Sequence, residues 1–164
     1  MSITAISREG KNAIFMKYIP IPLYTQFKLK ALPQIIINTF TILIILATIY
    51  LNFMEISIWY FLIAFITGMI INLINSFLLV LIDLNKPNLK WINQESVAKD
   101  NENKLYQYVM TIIIFLIFSY FAKIFEGIKF VYSIITINIL LLIFFIILKI
   151  LIKRNIKKLY KKIY

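Results

Sequence analysis

Four unbroken apolar runs, 35–54, 56–82, 105–122 and 128–152, limit what this chain can fold into more than any other feature. The hydrocarbon core of a bilayer, about 30 Å thick, takes roughly 20 helical residues at about 1.5 Å each. The first and third runs just meet that length. The second and fourth exceed it and must tilt, bend or project. All four are continuous rather than alternating, which argues against the strands of a membrane barrel. At 62% hydrophobic residues and a mean hydropathy of +0.87, the chain lies well above the roughly 45–50% of a soluble domain. The expected fold class is therefore all-α integral membrane: four transmembrane helices preceded by cytoplasmic and interfacial helices.

Charge sets the orientation. Arg8, Lys11, Lys17, Lys28 and Lys30 precede the first run, and Lys86, Lys90, Lys99 and Lys104 separate the second from the third. Seven more basic residues fall between Lys149 and Lys162, leaving only Lys123 and Lys129 for the other connections. With four spans the basic segments share one face, which the positive-inside rule makes cytoplasmic. The expectation is a multi-pass cell-membrane protein with both termini inside and Glu55 and Glu126 in short outer turns. Ser57 is expected to cap the second helix. The net charge of +11 is explained by this placement, and no nucleic-acid partner is expected. The start MSITAISREG lacks an apolar core behind a basic residue, so no cleavable signal is expected.

Much chemistry is excluded. Without cysteine or histidine there are no disulfides, no thiolate nucleophile and none of the usual zinc sites. The three glycines, Gly10, Gly68 and Gly127, are too scattered for a phosphate-cradling loop. No catalytic residue, cofactor or metal is expected. Within the runs, Asn72 and Asn75 share neighbouring parts of one helix face, and Asn138 lies midway along the last. Such amides serve as packing glue between helices or as a polar patch on a transport path.

The stretch 7–30, SREGKNAIFMKYIPIPLYTQFKLK, is neither lipid-like nor a plain tail. A helix over 11–19 carries apolar residues on every side, with no single stripe. Such a segment needs cover on more than one face. Pro20 and Pro22 interrupt it. A second helix can start at Pro22 with Leu23, Tyr24, Phe27 and Ala31 on one face, and Pro33 offers a bend into the membrane. The expected organisation is thus a docking segment and interfacial helix (1–34), a four-span domain with a cytoplasmic loop (35–152, loop 83–104), and a basic tail (153–164). The tail is expected to lie on lipid through Ile156, Leu159, Tyr160 and Ile163.

SREGKNAIFMKYIPIP, followed by Gln26, Lys30 and Pro33, resembles a segment of bacterial ABC-2 type permeases, in particular their putative-exporter branch. DLNKPNLKW and AKDN are similar to the same branch at Asp83, Pro87, Leu89, Trp91, Lys99 and Asn101. The resemblance implies an ABC transporter permease component that couples a separate cytoplasmic ATPase subunit to export of a substrate. It also implies a second permease chain or a homodimer, besides membrane lipid, as partners. Such permeases usually have at least six spans, so the four here match the later part of a longer one, as a truncated, split or degenerate form would. The ATPase-docking candidates are Ser7, Glu9, Gly10, Lys11, Phe15, Met16, Lys17 and Trp91; the polar intramembrane candidates are Asn72, Asn75 and Asn138. The rival reading is a non-transporting membrane immunity or regulatory protein that binds a partner.

Overall fold

The computed structural model describes residues 2–52, 57–91, 97, 101–124, 130–161 and 163. Two 3₁₀ segments, Ser2–Thr4 and Ser7–Lys17, lead into four helices: α1 (Leu23–Asn52), α2 (Ile58–Asn85), α3 (Asn103–Ile124) and α4 (Phe130–Tyr160). No strand occurs among the described residues. By length and composition α1, α2 and α4 can each cross a membrane, as expected of a membrane protein. The expected positions of Glu55, Lys99, Glu126 and Gly127 lie outside the described residues.

α2 is the central helix, packing against α1, α3, α4 and the first 3₁₀ segment. Burial is concentrated at one end of the bundle. It takes Phe27 and Ala31 from the first turns of α1, and Phe77, Val80 and Leu84 from the last turns of α2. Leu148, Ile152, Ile156 and Tyr160 join them from the end of α4. Phe77 lies at the centre, edge-on to Phe27 at 5.5 Å and inclined to Phe145 at 5.4 Å between ring centroids. Such aromatic pairs are the favoured arrangement of ring quadrupoles. The start of α1 and the ends of α2 and α4 thus meet, which makes α1 antiparallel to α2. Away from this end the bundle is apolar on its outside, with Phe40, Ile44, Leu62, Ile112 and Ile143 exposed. That outer surface suits lipid, since hydrocarbon tails are as apolar as the side chains themselves.

Hydrogen bonds join the helices where apolar packing is thin. Asn72 Oδ1 on α2 accepts from Asn38 Nδ2 (3.1 Å) and from Ser76 Oγ (3.3 Å). Its Nδ2 donates to the Ile35 carbonyl (3.0 Å) and to Thr39 Oγ1 (3.3 Å). Asn138 Nδ2 on α4 reaches Thr67 Oγ1 on α2 at 2.9 Å. Asn72 therefore fastens α1 to α2, while Asn138 ties α4 to α2. Asn75 is half-buried and makes none of these bonds.

Three local expectations change. α1 runs unbroken through Pro33, so the interfacial helix and the first span are one element. Membrane helices tolerate such a proline because neighbouring groups satisfy the freed backbone. Ser57 stands at the start of α2 without a side-chain cap; its carbonyl accepts from Tyr60 N at 3.0 Å. The tail, expected on lipid, instead continues α4 to Tyr160 and buries Ile156, Tyr160 and Ile163 in the protein core. Four-residue spacing marks an apolar stripe but not what covers it. Replacing Ile156 by Ala should cost about 2–4 kcal/mol of stability in detergent unfolding. The exposed Lys153→Ala nearby should stay within about 0.5 kcal/mol.

Candidate functional site: the N-terminal strap and the loop after α2

Residues 2–18 form a strap across the buried end of the bundle. Gly10 divides it at φ 53°, ψ −133°, a backbone region that residues with a Cβ essentially do not enter. A Cβ there would also lie 3.0 Å from the Trp91 ring. The first part of the strap turns its backbone inward, with Ser2, Ile3, Ile6 and Ser7 all buried. The second part buries Ala13 and Met16 and leaves most of its other side chains outside.

Asp83, near the end of α2, holds the first part and is 0% exposed. Its Oδ2 accepts the backbone N–H groups of Ile6 (2.6 Å) and Ser7 (3.0 Å). Its Oδ1 accepts the Ser7 hydroxyl and Asn103 Nδ2, the latter at 3.2 Å. All four partners are donors, which suits a group that acts here only as an acceptor. Ser7 Oγ in turn accepts from Asn88 N (3.0 Å) and Asn101 Nδ2 (3.4 Å), and the Ser7 carbonyl accepts Trp91 Nε1 at 2.8 Å. Asn103 Nδ2 also donates to the Lys86 carbonyl at 2.9 Å, and Asn103 N to Asn101 Oδ1 at 2.9 Å. One serine and one aspartate thereby join the strap, the end of α2, the loop beyond it and the start of α3.

α1 holds the rest of the strap. Gln34 Oε1 accepts Ser2 N at 2.7 Å. Gln26 Nε2, itself buried, donates to the carbonyls of Met16 (3.1 Å) and Ile21 (2.8 Å). Lys30 forms an ion pair with Glu9. Gln26 thus satisfies carbonyls at the point where Pro20 and Pro22 end the strap's regular hydrogen bonding.

The docking candidates divide into two groups. Ser7, Gly10 and Met16 are buried in these internal contacts, Glu9 is paired with Lys30, and Trp91 covers Gly10. Lys11, Phe15 and Lys17 remain exposed, Phe15 at 60%. Beside Phe15 lies a groove of about 500 Å³ between strap and α1, with Ile19, Ile21 and Leu29 in its walls and Glu9 and Lys30 at its edge. Of the polar intramembrane candidates, Asn72 and Asn138 are engaged between helices and Asn75 lies beside them. Sequence reasoning missed the roles of Asp83, Asn103 and Gln34. The available signal was Asp83 itself, because a carboxylate closing an apolar run must find donors nearby.

Searches against protein-family models, curated proteins and solved structures each returned no match. Gly10→Ala should force the strap away from Trp91, one of two tryptophans. In a Trp59→Phe background its fluorescence should shift to the red, while Ala5→Gly, elsewhere in the strap, should leave the emission in place.

Proposed function

We propose that this chain is a helical permease component of an ABC-type exporter, and that the exposed face of the strap receives a separate cytoplasmic ATPase. In this reading α3 also crosses the membrane, making four spans with α1, α2 and α4. Both termini and the loop after α2 face the cytoplasm of a multi-pass cell-membrane protein, and lipid covers the remaining apolar surface. The observation that carries the reading is the two-sided strap. One side is fixed by hydrogen bonds to α1, α2 and the loop, whereas the other offers Phe15, Tyr18 and Ile19 to the outside.

A partner held on such a strap would act on α2 without an intervening flexible linker, since Ser7 and Asp83 are in direct contact. Exposed aromatic and aliphatic groups supply contact area, and Lys11 and Lys17 add a charge pattern that selects an acidic partner surface. ATP chemistry belongs to the partner in this reading, because the three glycines of the chain are too far apart for a phosphate loop. The bundle contributes helices whose polar contacts, at Asn72 and Asn138, fix one packing arrangement.

Truncating a central interface anchor typically costs at least about 2 kcal/mol, roughly thirtyfold in affinity. Phe15→Ala removes an exposed ring and should leave insertion and folding intact. Co-expressed with a candidate exporter ATPase, the wild-type chain should retain that ATPase through affinity purification and Phe15→Ala should lose most of it. Equal recovery from both would overturn the docking reading.

A further inference from the structure

We infer that the Ser7–Asp83 contact is a latch: a polar fastening that holds the strap closed over the apolar end of the bundle and whose opening bares that end. The inference is independent of the permease reading. The strap is built unevenly.

Under the strap lies a continuous apolar floor of Phe27, Ala31, Phe77, Val80 and Leu84, onto which Ile6, Ala13 and Met16 close. The strap has little internal strength of its own. It is 3₁₀ rather than α-helical and broken at Gly10, and 3₁₀ hydrogen bonds are poorly aligned and rarely sustained over long runs. Its far end is a natural pivot, because Pro20 and Pro22 bracket a bend that Ile21 N closes onto the Ile19 carbonyl at 2.8 Å. Its near end is fixed by a cluster of hydrogen bonds converging on Asp83 and Ser7, with the single Ser2 N–Gln34 Oε1 bond beyond it.

Such a cluster behaves differently from apolar packing. Apart from the Trp91 bond to the Ser7 carbonyl, its bonds depend on the same two side chains, so loss of one member leaves buried donors without acceptors and weakens the others. The Asn72 contacts between α1 and α2 share no residue with it. The strap is therefore a local opening unit, able to release while the helices stay paired. Release would expose an apolar surface at the charged end of the bundle, and closure covers it with the chain's own residues.

The chain has no cysteine, so single thiols report opening cleanly. Ala13→Cys places a thiol on the buried underside of the strap, and Ser76→Cys places one on the buried face of α2 beside Asn72; both positions are 0% exposed. The full chain is studied in nanodiscs of phosphatidylcholine and phosphatidylglycerol, using a soluble maleimide. Asp83→Asn should raise labelling at position 13 by about tenfold or more, the effect expected from losing a charged acceptor, and leave position 76 unlabelled. Ser7→Ala keeps the backbone donors and should give a smaller rise at position 13 alone; it decides the matter if Asp83→Asn does not assemble. Unchanged labelling at position 13 would show that apolar packing and the contacts with α1 hold the strap without Asp83. Equal rises at 13 and 76 would show that Asp83 supports the whole fold. Either result overturns the latch.

Discussion

A carboxylate buried at the end of a membrane helix is the constraint on which the rest of this structure depends. Asp83 is shielded from water, and an acceptor of that kind left unpaired costs several kcal/mol. α2 cannot supply the donors, because its own N–H groups are engaged along the helix. They come instead from two backbone N–H groups at Ile6 and Ser7, one hydroxyl and one amide. That requirement draws the strap onto the bundle, brings Asn88 and Trp91 of the loop onto Ser7, and sets the start of α3 beside α2. Gly10 follows from the same geometry, since the strap must turn sharply beneath the Trp91 ring.

The bundle then has two unlike parts. Where α1 begins and α2 and α4 end, burial against protein is dense and the polar groups are highly connected. Further along, the outer faces are apolar and uncovered, and hydrogen bonds at Asn72 and Asn138 supplement the packing between helices. This division is what a bilayer demands. Apolar association is weak between helices already in hydrocarbon, so amides and close packing take over there. Where water is present, the hydrophobic effect can build a conventional core like the one beside the charged segments. The proposed function uses both parts: a surface at the densely packed end, attached to helices long and apolar enough to cross a membrane.

How much of this the sequence revealed depends on the range of the interaction. The apolar runs behind α1, α2 and α4 could be read directly, because length and continuity determine membrane crossing. The face of α1 carrying Phe27 and Ala31 was likewise visible in helical spacing, and both residues are buried. Asn72 could be recognised as polar glue, although not its particular partners. Ser7 and Asp83 are 76 positions apart, and no local pattern couples them. The tail's apolar residues Ile156, Leu159, Tyr160 and Ile163 were visible, but spacing could not tell a protein core from a lipid surface. The need of the stretch 11–19 for cover on several sides pointed to a partner; the chain itself covers Ala13 and Met16 and leaves Ile14, Phe15, Tyr18 and Ile19 exposed.

The central claim is that Ser7 and Asp83 act as a single fastening, and a double-mutant cycle tests it most directly. Unfolding in mixed micelles would be measured for wild type, Ser7→Ala, Asp83→Ala and the double variant. Residues sharing a buried hydrogen bond in one network give interaction energies of about 1–3 kcal/mol. The account predicts a coupling in that range, with the second substitution costing much less once the first is made. Losses that simply add, to within about 0.5 kcal/mol, would contradict it.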